Sequence, residues 1–171
     1  MKAHGIGGYP NQPDWREQFE KLPEKERKMH ERMNARRIFT QLDRHCGECL
    51  LRDSSCRTAV GNAMFYFDHT RWRVGDFVVM PNHVHALVQP LAGYSLESTL
   101  YSVKRFSASG INEQLNRTGS VWQKEYHDHI VRSHDELGNI RKYIAENPAK
   151  ANLFDSAVTY YRATWLDTGV A

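Results

Sequence analysis

The stretch Phe77-Val-Val-Met-Pro-Asn-His-Val-His-Ala-Leu-Val88 decides how this chain is read. Apolar residues fill both ends and a Pro-Asn pair interrupts them. That is the pattern of a strand, a tight turn and a second strand. Side chains two apart on a strand point to one face, so His83 and His85 aim together while Val84 faces the opposite, buried side. Two imidazoles on one face can reach a single ion. A half-exposed strand that merely carries two histidines fits the same spacing, and spacing alone leaves both readings open.

The chain has 171 residues, enough for one domain with a real core. Apolar residues make up 40% and charged residues 25%, an ordinary balance for a soluble globular protein. No apolar run approaches the length of a membrane span. Residues 1–8 lack the apolar segment of a signal peptide. The expectation is therefore a cytoplasmic protein with no membrane partner. Three cysteines in so ordinary a composition argue against a disulfide framework. Cys46 and Cys49 form a C-x2-C pair, but no second pair follows to complete a zinc site, and free thiols beside a turn are the simpler reading. A net charge of +3 permits a nucleic-acid partner without requiring one.

Residues 1–15 are rich in Gly, Pro and Asn and read as a loop. Residues 15–43 are densely charged, with Pro23 suited to an early helical position and Met29 and Met33 one turn apart. They predict a mostly solvated helix. Asp53 caps a second helix running to about residue 68, with Val60, Ala63, Met64 and Phe67 as its apolar stripe. Residues 71–80 form the strand that leads into the Pro-Asn turn. Ser95 caps another helix, with Leu96, Leu100 and Val103 on one face and Lys104 and Arg105 on its exposed side. Residues 121–132 read as a long strand. Ser133-His-Asp-Glu136 fits a capping box, serine at N-cap and glutamate at N3. The helix that it opens should end at Asn147, because the residue before Pro148 is pushed away from helical angles. The domain plan is 1–43 for the N-terminal loop and charged helix, 44–155 for the main domain, and 156–171 for a tail packed on it.

On this last helix, Tyr143 and Asn147 are spaced i, i+4 and lie one above the other. They sit on the flank of a stripe formed by Leu137, Ile140 and Ile144. If the helix packs near the histidine strand, a phenol and an amide oxygen face two imidazoles. A half-buried packing tyrosine and a helix-end asparagine would look the same in sequence.

Met80-Pro-Asn-His-Val-His85 and Tyr143-Ile-Ala-Glu-Asn-Pro-Ala-Lys-Ala-Asn-Leu153 resemble the two signatures of the single-tyrosine HUH transposases, in the branch of REP-associated tyrosine transposases. The linking segments fall in the same order: Leu91-Ala-Gly-Tyr-Ser-Leu96, Lys104-Arg-Phe106, Val121-Trp-Gln-Lys-Glu-Tyr126, then Asp128 and Ile130-Val-Arg132. The resemblance covers about residues 43–155. It implies that His83 and His85 are metal ligands, that Tyr143 is the nucleophile, and that Asn147 supplies a third, amide ligand. It also implies a divalent ion, Mg2+ or Mn2+, and single-stranded DNA with hairpins as partner. Lys104, Arg105 and Lys124 are candidates for phosphate contacts, and Trp122 and Tyr126 for stacking on unpaired bases. His127 and His129 form a second His-x-His, but Asp128 between them spoils the buried face that Val84 supplies.

The expected fold is α+β, an antiparallel sheet with helices mainly on one face, ferredoxin-like as in HUH endonucleases. The expected function is a transposase that cleaves and rejoins single-stranded DNA through a covalent 5′-phosphotyrosine, acting as a monomer or homodimer. The alternatives are a catalytically inert hairpin-binding descendant and a zinc hydrolase using the histidines and a cysteine. The family also carries an N-terminal aromatic, threonine-rich strand, and nothing in residues 1–22 reads as one. The expectation is an N-terminally truncated chain or the descendant of a degraded copy, with an open or irregularly covered edge beside the histidine strand.

Overall fold

A computed structural model describes residues 21–27, 29, 48–124 and 126–168. The chain divides into two compact units, Met1–Arg44 and His45–Ala171. In the first unit, residues 24–27 are helical, and the Arg27 N–H donates to the Pro23 carbonyl at 3.0 Å. The rest of the expected charged helix, and residues 1–20 where a first strand was sought, lie outside the described residues.

The second unit contains helix α1 (Ser54–Tyr66), strands β1 (Trp72–Val79) and β2 (Val84–Pro90), helices α2 (Leu96–Gln114) and α3 (His134–Lys150), and a short strand β3 (Thr159–Tyr161). Each helix starts where a side-chain oxygen satisfies an otherwise orphaned amide. Asp53 accepts from the Ser55 N–H at 2.8 Å, Ser95 from the Ser98 N–H at 3.1 Å and Ser133 from the Glu136 N–H at 3.1 Å. The return bond of the last capping box lands one residue early: the Glu136 carboxylate accepts from the Arg132 N–H at 2.7 Å.

Two expectations are corrected. Helix α3 does not stop at Asn147 but runs through Pro148 to Lys150. Proline in the last turn costs a single donor, the turn is buried at Asn147 and Pro148, and the Ala151 and Leu153 N–H groups close it on the Asn147 and Pro148 carbonyls. The described residues of 121–132 are irregular, not a strand. The carbonyls of Gln123 and Lys124 accept from Lys104 Nζ and the Trp122 indole donates to Ser107 Oγ, so the segment is pinned to α2. Residues 159–161 of the C-terminal segment enter the sheet as β3.

The sheet order among the described residues is β2-β1-β3, antiparallel throughout. The Met80 N–H donates to the His83 carbonyl at 2.8 Å and closes the Pro-Asn turn. Trp72↔Pro90 and Val74↔Val88 pair in one register, and Phe77↔Ala86 to Val79↔Val84 in another shifted by one residue. Gly75 and Asp76 thus bulge opposite Leu87. The bulge switches facing. Trp72, Val74, Phe77 and Val79 join the main core with residues of α1 and α2. Val78 and Met80 join a smaller cluster with Ile144 of α3 and Val158. The architecture is α+β, with two of the three helices on one face of an antiparallel sheet and α3 on the other.

Candidate active site

His83 and His85 stand at the head of β2 and are 5% and 9% exposed. His85 pairs across the ladder with Val78 and Val84 with Val79. His85 therefore shares the α3 face with Val78, while Val84 packs against the main core, as the alternation requires. The two Nε2 atoms are 3.0 Å apart and the rings meet edge to face at 4.7 Å between centroids. Asn82 Oδ1 lies 2.7 Å from His83 Nδ1. An amide oxygen only accepts, so this contact keeps the proton on Nδ1 and leaves the Nε2 lone pair directed at His85. Burial, then the neighbouring His83, depresses the pKa of His85 to about 3. The ring is neutral at physiological pH.

The Tyr143 ring stands edge to face against His85 at 5.2 Å between centroids. The two sequence signatures, about sixty residues apart, thus meet in one place. Lys150 Nζ lies 5.2 Å from the centre of the Tyr143 ring and also pairs with Glu146 at 3.1 Å. Asn147, one turn beyond Tyr143, is 1% exposed. Its Oδ1 and Nδ2 are both buried without a hydrogen-bond partner. Leaving a buried amide unsatisfied costs about 1–3 kcal/mol per group, so packing alone does not account for an asparagine here.

These residues fit a divalent ion. Two cis ligands at about 2.1 Å stand about 3.0 Å apart, which is the Nε2 separation observed. The orphaned Asn147 Oδ1 is an oxygen donor of the kind that Mg2+ prefers, and the imidazoles suit Mn2+ at least as well. Among the described residues no group of three or more His, Cys, Asp or Glu side chains could hold a metal, so an ion at the histidine pair would need an amide or substrate oxygens to complete its shell. Cys56 lies fully buried in the main core and Cys49 is partly buried. Cys46 lies outside the described residues.

The family model described as "Transposase IS200 like" matches residues 53–147, more than half of the chain. The chain belongs to this family. An "Uncharacterized protein" of Haemophilus influenzae is 27% identical over 99 residues, covering 44% of this chain and 54% of its own length. A second protein of that organism, named "Putative REP-associated tyrosine transposase", is 25% identical over 93 residues, covering 48% of this chain and 53% of its own. The chain spans about half the length of the curated relatives it matches. No solved structure matches it.

In this member of the IS200-like family, the matched span begins at the α1 cap and ends at Asn147, taking in His83, His85 and Tyr143. The DNA-contact candidates lie on α2 and on the segment pinned to it. Lys104 is engaged with the carbonyls of Gln123 and Lys124, at 2.7 and 3.3 Å, and lies 5.6 Å from the Tyr126 ring centre. Trp122 is half-buried, packs against the main core and donates to Ser107 at 3.0 Å, so its indole anchors a loop. Arg105, Lys124 and Tyr126 are exposed. No helix among the described residues is long and apolar enough to cross a membrane.

Sequence reasoning gave Asn82 only a turn, and assigned no role to Lys150, Asp76 or Arg141. Lys150 had a signal, since seven residues after Tyr143 is two helical turns and the same face. Asp76 and Arg141 had none, because their pairing spans the fold.

Proposed function

We propose that this chain is a metal-dependent transposase that cleaves and rejoins single-stranded, hairpin-bearing DNA, with Tyr143 as nucleophile and His83, His85 and Asn147 as metal ligands. The observation that carries the reading is the contact of the Tyr143 ring with His85, itself 3.0 Å from His83. A divalent ion bound there would polarise a nonbridging phosphate oxygen and offset the charge that develops in the transition state.

The protein's own residues do the rest. Asn82 orients His83, and burial keeps His85 neutral. Tyrosine is a poor nucleophile at its reference pKa near 10 and needs activation by a nearby cation; Lys150 Nζ lies 5.2 Å from the Tyr143 ring centre. The Tyr143 oxygen attacks phosphorus and loses its proton. The P–O3′ bond breaks and the departing oxygen takes up a proton as a 3′-hydroxyl. The product is a 5′-phosphotyrosine. Attack by a second 3′-hydroxyl forms a new P–O3′ bond and returns the tyrosine as a phenol, so no ATP is consumed. Arg105, Lys124 and Tyr126 are the exposed groups proposed to meet phosphates and bases.

The test is a denaturing gel with a labelled single-stranded hairpin oligonucleotide and Mn2+. The wild-type chain should retain label covalently and Tyr143→Phe should not. An adduct persisting in the mutant overturns the assignment of the nucleophile. Efficient cutting of plain duplex would point to a different nuclease class.

A further inference from the structure

Asp76 is 1% exposed, at the bulge of β1, and is held by α3. Arg141 Nε donates to its Oδ2 at 2.8 Å and Nη2 reaches Oδ1 at 3.4 Å. The Ala163 N–H donates to Oδ1 at 2.9 Å. Arg141 Nη1 also binds Asp167 at 2.7 Å, and Asp167 takes a second bond from Arg162 at 2.9 Å. The guanidinium thus joins three segments: the sheet bulge, α3 and the C-terminal segment.

The location on α3 gives this joint its meaning. Residues two apart on a helix lie about 200° around its axis from one another. Arg141 and Tyr143 therefore occupy opposite flanks of α3, with the Ile140 and Ile144 stripe between them. The stripe packs on Val78, Met80, Leu87 and Val158. Such contacts hold a helix to a sheet, but they are non-directional and tolerate small rotations and slides. A forked guanidinium on a buried carboxylate does not. A rotation that breaks the Arg141 bonds swings Tyr143 across His85.

We propose that Asp76 and Arg141 are positioning residues, a clamp that fixes the rotation of α3 on the sheet and so the placement of the Tyr143 phenol against the histidine pair. Asp167 braces the clamp from outside, which makes the C-terminal segment part of the apparatus that aims the nucleophile. The inference rests on Tyr143 being the nucleophile.

Two readouts test it, one of them independent of activity. Arg141→Lys keeps the charge facing Asp76 but loses the fork. In nuclear magnetic resonance spectra of the full chain, ring-to-ring Overhauser contacts between Tyr143 and His85 should be present in the wild type and lost in Arg141→Lys, while those between His83 and His85 persist. In steady-state cleavage of a single-stranded hairpin oligonucleotide, kcat should fall about 100-fold, the scale expected when a reacting group is misplaced by about 1 Å. KM should be unchanged. Asp167→Asn loosens the clamp from its exposed end, and it should show the same signature in smaller degree and serve if Arg141→Lys does not fold. A Tyr143–His85 contact that survives in a folded Arg141→Lys chain overturns the proposal, as does an unchanged kcat. A wild-type chain that forms no adduct overturns the functional reading instead, and the ring contacts alone then decide the clamp.

Discussion

Against α1 and α2 the sheet presents Trp72, Val74, Phe77 and Val79, joined by Cys56, Val60, Ala63, Met64, Val103 and Ile111. Against α3 it presents Val78 and Met80, with Asp76, His83 and His85 buried on the same sheet and Asn147 buried on the helix above. The first face is a large apolar core. Its buried Arg57 and Ser107 are spent on backbone carbonyls. The second face has a small apolar patch and a concentration of buried polar groups. Burying polar groups is costly unless each finds a partner. The stability of the unit is thus drawn mainly from one side of the sheet, and the other side is free to carry chemistry that stability alone would not select.

The largest expected effects fall on the second face and concern activity. Tyr143→Phe removes one oxygen and little volume, so the fold should survive while cleavage and the covalent adduct vanish. His83→Ala or His85→Ala should abolish cleavage and leave DNA binding largely intact, as a gel-shift titration beside the cleavage assay would reveal. A histidine variant that still cleaves would dissolve the distinction between the two faces.

The next effect belongs to the main core. Trp72 is 1% exposed and donates its indole N–H to the Met64 carbonyl at 3.0 Å. Trp72→Ala should cost about 3–5 kcal/mol, measured by urea unfolding. A loss below about 1 kcal/mol would mean that this face is not where stability resides.

Gly75, where the bulge lets the two faces differ, ranks third. A Cβ there would lie 2.9 Å from both the Cβ and the carbonyl oxygen of Leu87, close to backbone that cannot move aside cheaply. Gly75→Ala should destabilise by about 1–3 kcal/mol, as overpacking does. Because the bulge turns Asp76 toward α3, cleavage should fall as well. A neutral Gly75→Ala would show that the bulge relaxes freely.

Asn147→Ala should have the smallest effect on stability and the most telling one. Truncating a well-bonded buried residue destabilises, but this amide has no bonds to lose. The melting temperature should hold or rise slightly, while the Mn2+ concentration needed for half-maximal cleavage increases. A clear drop in melting temperature with unaltered metal dependence would make Asn147 structural.

Much of this was legible in the linear sequence. The caps at Asp53, Ser95 and Ser133 are local, each depending on a side chain two or three residues from the amide that it serves. The Pro-Asn turn and the shared facing of His83 and His85 follow from a strand's two-residue period. Illegible features depend on partners far away in the chain. Residues 121–132 have the apolar and aromatic content of a strand, but a strand needs a neighbour, and here Lys104 and Ser107 take the available hydrogen bonds. Pro148 looks like a stop signal until the burial of its turn is known.

By itself, the sequence determined the helices, the histidine pair and the pairing of Tyr143 with Asn147, because periods of 3.6 and 2 residues are properties of the local backbone. Tertiary structure alone decided that a bulge at Gly75 and Asp76 exchanges the faces of β1, that residues 159–161 rather than 121–132 extend the sheet, and that Arg141 reaches Asp76 across the fold. These outcomes rest on shape and hydrogen-bond complementarity between segments tens of residues apart, and no local pattern encodes them.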